Sequence, residues 1–358
     1  MASKSLKSST SSSVNTSSSH IYPSTINYTP NYSTTSKPRF FSTITSLSSL
    51  KDSLSENPHI YDFSEICKAT NNFLQKPFSS SSSSASWRCT IRGKEVILFQ
   101  RKSRRQIGLP ELQERLLTVC RSHHSSLVKL FGASTSGNYI YLVYEYVHGA
   151  NLATCLRNPQ NPSYTILSSW LSRMQVATDL AHGLDYIHHR LGLNSEYVHN
   201  HVKSCSILVT EASLNAKICH FGTAELCGEI VGSERSPARS YGRLDSRLVS
   251  GEEAMRYVFD DGGGGYKRIS VIETAREVVA AGGGELRNWV DKRVKDSYPV
   301  EVAEKIVRLG LECVDDDPEN RPDMGQVDVR VSKLYLESRN WAEKIGLPTD
   351  FSVSMAPR

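Results

Sequence analysis

Two short stretches carry the side chains best suited to acid–base chemistry. The first, YVHNHVKSCSILV (Tyr197–Val209), presents His201, Lys203 and Ser206 ahead of an apolar run. The second, KICHFG, presents His220. Histidine can act as a general base, but neither stretch contains an Asp or a Glu. Because magnesium prefers carboxylate oxygens to imidazole nitrogens, the two stretches do not predict a magnesium site.

The elements that must position these side chains fall into two parts. Apolar periodicity predicts a long helix at Ser168–His189, directly before the first stretch, and mostly helices from Gly265 to about Ser338. The earlier part reads as strands plus one main helix. Its predicted elements are a short amphipathic helix at Tyr61–Phe73, a hairpin at Trp87–Gln100 turning at Arg92 and Gly93, a helix at Leu109–Arg121, and strands at Leu127–Gly132 and Tyr139–Val147.

Charge and composition exclude several classes of protein. The chain has 358 residues and a net charge of +5, and its first 51 residues hold five Lys or Arg and no Asp or Glu. The remainder is formally neutral, which argues against a nucleic-acid-binding domain. The eight cysteines are scattered without a C-x-x-C pair, which is typical of reduced intracellular thiols. No apolar run approaches the ~18 residues that cross a bilayer.

The first 56 residues differ in composition from the rest of the chain. They contain 19 Ser and 8 Thr and few large apolar groups, so they are expected to form a disordered tail. An organellar transit peptide is the alternative, because such segments are Ser-rich, acid-poor and basic. The single Arg in this tail, Arg39, counts against that alternative.

Five motifs, in this order and at this spacing, point to one family. The chain resembles the kinase region of plant receptor-like and receptor-like cytoplasmic kinases, and most closely that of the LysM receptor-like kinases, over residues 60–338. The motifs are FSEICKATNNF (Phe63–Phe73), HHSSLVKLFG (His123–Gly132), LVYEYVHGANL (Leu142–Leu152), WVDKRV (Trp289–Val294) and DPENRPDM (Asp317–Met324).

The resemblance implies an α+β, bilobal protein-kinase-like fold, with a small β-rich N-lobe and a larger helical C-lobe. The N-lobe would span about residues 75–147 and the C-lobe about 148–338, with tails at 1–56 and 339–358. Nucleotide would lie between the lobes. Tyr144 matches the gatekeeper position, and Glu145 to Val147 would offer backbone groups to an adenine.

The departures from the family pattern concern the residues that perform phosphoryl transfer. Phe99 stands where a Lys should contact the phosphates, and His201 stands where the general-base Asp should be. Ser206 replaces the metal-binding Asn, and His220 replaces the metal-binding Asp. The loop that should cover the phosphates with glycines reads FSSSSSSASW. Lys203 retains its place in the degenerate catalytic loop.

Two further features of the cleft stay open at this level. Spacing puts Arg115 where helix C should carry its Glu, with Glu114 one residue away and Glu111 a turn earlier. His201 and His220 would face one cleft, so a zinc site is an alternative to neutral imidazoles that fill the space left by carboxylates. The residue pattern favours the neutral imidazoles, and no metal ligand is assigned.

The interval after His220 is short for the family. Only 31 residues separate His220 from Glu252, and they must hold an activation segment and the central helix of the C-lobe. No A-P-E turn and no D-x-Y-x-F-G pattern occurs, so a deletion is expected between about Ser240 and Leu248. Either a faulty gene model or a genuine short variant would explain it. Arg321 would then lack its A-P-E partner.

These departures favour a pseudokinase that acts as a scaffold or regulator beside receptor-like kinases or other signalling proteins. No cofactor is assigned, although ATP without magnesium is compatible with the cleft. The expected location is cytoplasmic, at the inner face of the plasma membrane through partners. One alternative is a divergent, active Ser/Thr kinase that uses His201 and Lys203. Another is a truncated chain without a stable C-lobe.

Overall fold

A computed structural model describes residues 58–80, 84–104, 107–158, 160–190, 202–228, 236–260, 264–294 and 298–347. All of them belong to one unit, Ser55–Arg358. The predicted tail at residues 1–56 therefore lies outside the described residues. Of the predicted C-terminal tail at 339–358, residues 348–358 also lie outside the described residues, whereas residues 339–344 belong to a helix that begins at Met324.

A six-stranded sheet forms the first lobe, with the strand order β1-β5-β6-β4-β3-β2. Helix α1 packs on the sheet through Ile66, which is fully buried, and begins at Asp62, whose side chain accepts the N–H of Ser64. The elements are β1 (His59–Ile60), α1 (Phe63–Ala69), β2 (Ser79–Ser80), β3 (Ser84–Ile91), β4 (Lys94–Lys102), α2 (Leu109–Cys120), β5 (Leu130–Ser136) and β6 (Tyr139–Glu145).

The hairpin of β3 and β4 turns where the sequence predicted. Arg92 and Gly93 have φ angles of 50° and 76°, and the left-handed conformation makes this two-residue turn match the twist of the strands. Along β4, Val96 and Leu98 alternate into the core. The next residue, Phe99, is also buried and reaches the interface between the lobes.

Helices dominate the second lobe. The long helix α4 ends in a π-helical turn at Tyr186–Arg190, just before the histidine-containing stretch. The elements are β7 (Gly149–Asn151), α3 (Leu152–Leu156), α4 (Trp170–Asp185), β8 (Ile207–Thr210), β9 (Ala216–Ile218), α5 (Thr223–Leu226), α6 (Pro237–Ser250), β10 (Met255–Asp260), β11 (Gly265–Ser270), α7 (Val271–Ala281), α8 (Gly283–Trp289), α9 (Val300–Cys313) and α10 (Met324–Lys344).

The expected loss of the central helix is wrong. Helix α6 has 14 residues, covers the interval from Ser240 to Leu248, and buries Ala238, Tyr241, Leu244 and Leu248 in the helical core. Arg239, Arg243 and Arg247 interrupt the apolar run of this helix. The described residues therefore retain a helix where the deletion was expected.

A close helix crossing fixes α6 within the lobe. A Cβ added at Gly242 would lie 2.3 Å from the carbonyl oxygen of Gly310 on α9. Gly310 in turn leaves room for Asp245, because its own Cβ would lie 2.7 Å from Asp245 Oδ2. The two glycines let the backbones of α6 and α9 approach closely.

A buried charge cluster joins three segments of the helical lobe. Arg173 on α4 is 2% exposed and donates to Asp291 Oδ2 at 2.6 Å and to the carbonyl oxygens of Leu167 and Leu248. Arg293 binds both oxygens of the same carboxylate. The WVDKRV motif is thereby held against α4 and the end of α6.

Two other expectations are corrected or refined by the fold. Strands β10 and β11 pair antiparallel, so the helical prediction starting at Gly265 is wrong up to Ser270. The guanidinium of Arg321 donates to the carbonyl oxygens of Asp315 and Asp316. Local backbone groups thus replace the carboxylate that the family pattern would supply.

Candidate nucleotide cleft

The loop before β8 uses its polar groups to close its own turn. The backbone N–H of Lys203 donates to Ser206 Oγ at 2.9 Å, and that hydroxyl donates back to the Lys203 carbonyl oxygen at 2.9 Å. Ser206 is buried, whereas Lys203 is exposed. The Ser206 hydroxyl therefore serves the turn. His201 lies outside the described residues.

His220 lies against two aromatic side chains at the inner end of the cleft. Its backbone is left-handed, with φ 63°, which is uncommon for a residue other than glycine. Its ring centroid lies 4.3 Å from that of Phe99 and 5.8 Å from that of Tyr144, edge-on to the latter. The residue at the metal-binding position thus packs on the residue at the phosphate-binding position.

Tyr144 completes this cluster and anchors it in the second lobe. Its hydroxyl lies 2.9 Å from Thr223 Oγ1 and donates to the Phe221 carbonyl oxygen at 3.4 Å. Tyr144 is 2% exposed, and burial raises the pKa of its phenol, so the hydroxyl stays neutral. We call Phe99, Tyr144 and His220 the aromatic plug.

The backbone segment that would bind adenine lies at the end of β6. The Glu145 N–H donates to the Lys129 carbonyl oxygen at 2.9 Å, and the Glu145 carboxylate accepts the Lys129 N–H and Lys217 Nζ. Val147 is half-buried and packs against the main core. The structure thus brings Tyr144, Glu145 and Val147 together along one short segment.

Helix α2 presents a positive charge where the sequence left the choice open. Arg115 donates to the carbonyl oxygen and the carboxylate of Glu225 on α5, and also to Glu111. Gly222 lies under the same helix, where an added Cβ would be 2.5 Å from Val119 Cγ2. Helix α2 is therefore fastened to the start of the activation segment.

The serine-rich segment continues the sheet as far as it is described. Ser79 and Ser80 form β2, which pairs with Ser86 and Ala85 of β3. Phe78 adds a backbone hydrogen bond to the Ser86 carbonyl oxygen at 2.7 Å. Residues 81–83 lie outside the described residues.

The side chains present do not fit magnesium bound to triphosphate. The plug offers two aromatic rings and an imidazole where the ion and phosphates would need carboxylates and a Lys. Among the described residues, no cluster of three His, Cys, Asp or Glu side chains could hold a metal ion. In this part of the cleft, the side chains of the aromatic plug pack against one another.

Sequence reasoning missed two contributors to the site. Thr223 binds the plug, and Glu225 binds Arg115, yet both follow the KICHFG stretch without any motif of their own. The Thr223 hydroxyl, three residues after His220, was the available signal in the sequence. It could not identify Tyr144 as its partner, because that contact depends on how the two lobes pack.

Comparison with known proteins agrees with this geometry. Residues 91–258 match the family described as protein tyrosine and serine/threonine kinase. The chain is 29% identical over 318 residues to LysM domain receptor-like kinase 3 of Arabidopsis thaliana, which covers 80% of this chain and 48% of that protein. The chain contains a protein kinase domain close to the plant LysM receptor-like kinases.

A second relative supports the same family assignment. Chitin elicitor receptor kinase 1 of Arabidopsis thaliana is 30% identical over 304 residues, covering 78% of this chain and 47% of that protein. The chain thus spans about half the length of these relatives. In the described residues, no helix is long and apolar enough to cross a membrane.

A solved structure confirms the predicted bilobal kinase-like fold. The pseudokinase domain of BIR2, described as an immune regulator of the RLK/Pelle family, aligns with a TM-score of 0.62 and 19% identity, over 86% of this chain and all of that one. At this identity the likeness concerns the fold alone.

Proposed function

We propose that this kinase domain is a catalytically impaired pseudokinase that acts through protein contacts as a scaffold or regulator in receptor-kinase signalling. The observation that carries the proposal is the aromatic plug. Phe99 and His220 lie 4.3 Å apart, centroid to centroid, where a Lys and a metal-binding Asp would have to stabilise the charge of ATP.

Phosphoryl transfer depends almost entirely on positioning and charge stabilisation. Phe99 carries no charge. The Ser206 hydroxyl is already hydrogen-bonded to the backbone N–H and carbonyl oxygen of Lys203. Arg115 adds positive charge to helix α2 but points to Glu225. Loss of even one such group typically lowers the rate by orders of magnitude, and here several are changed together.

The proposal has consequences for cofactor and partners. The hinge segment at Glu145 and Val147 can take an adenine, while the plug excludes magnesium, so any ATP is held without the ion. Partners are receptor-like kinases or other signalling proteins, and nucleic acid is not among them. The domain works at the cytoplasmic face of the plasma membrane and reaches the membrane through those partners.

Transfer of labelled phosphate from ATP to a generic protein substrate tests this proposal. We expect the wild-type chain and the His201→Ala variant to give the same background incorporation. Incorporation by the wild type that His201→Ala or Lys203→Ala abolishes would establish the divergent active kinase in its place. Limited proteolysis that leaves only a fragment of the first lobe would instead indicate an unstable C-lobe.

A pair of substitutions tests the plug directly. Phe99→Lys with His220→Asp restores a cation and a carboxylate to the cleft, so the melting temperature should rise with ATP and magnesium together. Phe99→Leu is the matched control, because it removes the ring without adding charge, and it should show no magnesium-dependent rise. An equal response in both variants would mean that the plug does not decide magnesium binding.

A further inference from the structure

A polar cavity of about 750 Å³ lies in the helical lobe, between α3, the end of α6 and residues 288–293. Arg157, Arg247 and Arg293 line it, and we call it the arginine cavity. It is separate from the aromatic plug, since it shares no residue with the plug. None of the nucleotide-cleft residues Tyr144, Glu145, Val147 and Phe99 lines it.

The arginines converge on one turn. Arg157 Nη1 donates to the Gly251 carbonyl oxygen at 3.1 Å, and Arg293 Nη2 approaches the same oxygen at 3.4 Å. Gly251 ends α6 with φ 70°, and its N–H donates to the carbonyl oxygen of Arg247. A side chain at Gly251 would collide with Asp291 and Arg293, so the turn is built to let these groups meet.

The carboxylate nearest the turn is already in use. Both Asp291 oxygens accept from Arg293, and Oδ2 also accepts from the buried Arg173. This arrangement fixes Arg293 in place. The charge of Asp291 also raises the pKa of Arg157, although its hydrogen bonds go to Arg173 and Arg293.

Positive charge at Arg157 and Arg247 is incompletely balanced. Arg247 donates Nη1 to Ser204 Oγ at 2.7 Å, while its Nε is buried without a hydrogen-bond partner in the described part of the chain. Arg157 pairs with Glu253 at 3.6 Å, and the Glu253 side chain is 66% exposed. Burial lowers the pKa of both guanidinium groups and the charge of Arg157 lowers that of Arg247 further, whereas the charge of Glu253 raises both.

The remaining charged groups of the cavity have partners of their own, although the charge of Glu252 also raises the pKa of Arg157. Lys292 donates its Nζ to the Arg287 carbonyl oxygen, and Glu252 pairs with Arg256 at 3.7 Å. An anion placed between Arg157 and Arg247 would relieve their mutual repulsion. A phosphate monoester carries nearly two negative charges and three acceptor oxygens, so it can bind two guanidinium groups at once, whereas a carboxylate carries a single charge.

We propose that the arginine cavity binds a phosphate monoester carried on a side chain of a partner polypeptide. Trp289, Val290 and Pro162 also line the cavity and would contact the organic part of that side chain. Ser204, which Arg247 contacts, follows Lys203 in the loop where the kinase fold receives a polypeptide. This inference rests on the proposed scaffold function and adds to it the chemistry by which a phosphorylated partner is held.

Calorimetric titration of the full chain with O-phospho-L-serine and O-phospho-L-tyrosine, at low salt and without ATP, tests the inference. We expect saturable binding to the wild type and at least about tenfold weaker binding to Arg157→Gln with Arg247→Gln. The control is Arg308→Gln, an exposed arginine that neither lines the cavity nor pairs with a residue that does, and this variant should bind as the wild type does. If the double variant does not fold, Arg157→Gln alone serves, because Arg157 is only half-buried at the rim.

Three outcomes would overturn the inference. They are no saturable binding of either phosphoamino acid, equal weakening in Arg308→Gln, and binding only to vesicles that contain phosphoinositides. The third would assign the cavity to a lipid headgroup. Phosphate incorporation assays on the same variants keep the two proposals apart, because an active kinase would contradict the pseudokinase whether or not the cavity binds phosphate.

Discussion

At the residue scale, packed aromatic rings and an imidazole occupy the positions where the kinase family carries charged side chains. Tyr144, His220 and Phe99 come from three different strands or turns and meet in one buried cluster. The Tyr144 hydroxyl binds Thr223, which is fully buried. The plug therefore stabilises contact between the lobes at the place where a catalytic kinase would need an open, charged cleft.

Tyr144→Phe should destabilise the folded chain by about 1–3 kcal/mol, because the Thr223 hydroxyl is left buried without this partner. Unfolding in urea measures the change. Tyr139→Phe, at an exposed position on the same strand, should change the free energy of unfolding by less than about 0.5 kcal/mol. Equal effects of the two variants would show that the hydroxyl contact contributes nothing specific.

The identities of the plug residues were predictable from the sequence, but their contacts were not. The resemblance placed Phe99 at the phosphate-binding position and His220 at the metal-binding position, but a contact between their rings was not predicted. The hydrogen bond to Thr223 and the pairing of Arg115 with Glu225 depend on how α2 and α5 pack. Spacing along one strand or helix does not encode such contacts between separate elements.

At the element scale, helix α6 carries an unusual buried group. Asp245 is 1% exposed, and neither carboxyl oxygen has a hydrogen-bond partner in the described residues. Burial raises the pKa of this carboxyl well above its ordinary value, so the folded chain holds it protonated. Helix α6 therefore buries the polar Asp245 side chain at a position where an apolar side chain would pack.

Asp245→Leu should raise the free energy of unfolding by about 1–3 kcal/mol at neutral pH. Because the folded pKa is raised, the stability of the wild type falls as pH rises above about 4, where the unfolded carboxyl ionises. The gain from Asp245→Leu should therefore grow with pH across that range. Urea unfolding at pH 4 and pH 7 measures it.

Asp245→Asn is the control, since it keeps the polar group and removes the titration. Its free energy of unfolding should vary as little with pH as that of Asp245→Leu. The increase over the wild type should be smaller, because Asn does not place an apolar side chain in the core. A loss of stability in Asp245→Leu, or a gain that does not vary with pH, would indicate that the carboxyl has a partner.

Helix α6 also shows why some elements escaped prediction. The hairpin of β3 and β4 and the helix α2 follow local signals, namely a left-handed turn at Arg92 and Gly93 and apolar periodicity. In α6 the core-facing pattern includes Gly242 and Asp245, and the glycine is required by the crossing with Gly310. A local pattern cannot reveal a helix whose key positions are set by a neighbour distant in sequence.

At the scale of the whole molecule, the helical lobe depends on a buried ion cluster. Burial by itself would raise the pKa of Asp291, but hydrogen bonds from Arg293 and the charge of Arg173 outweigh it and lower the pKa. The cluster joins α4, the end of α6 and the WVDKRV motif. Its contribution to stability is therefore present above about pH 4 and is lost as the pH falls through the lowered pKa.

Asp291→Ala should cost about 3–5 kcal/mol, because it leaves the Arg173 guanidinium buried without its carboxylate. The exposed pair of Glu304 and Arg308 offers a control, and Glu304→Ala should cost no more than about 0.5 kcal/mol. Chemical unfolding at pH 7 compares the two variants. A small effect of Asp291→Ala would mean that the cluster does not hold the lobe together.

The most direct test of the pseudokinase assignment is the thermal melting of the full chain in ATP with EDTA and in ATP with magnesium. The proposed function has the plug exclude the ion, and it therefore predicts that magnesium adds nothing to any shift in melting temperature that ATP alone produces. A melting temperature that rises only when ATP and magnesium are both present, and increases with their concentration, would contradict the assignment. It would show that the cleft binds the metal complex that a phosphoryl-transfer enzyme uses.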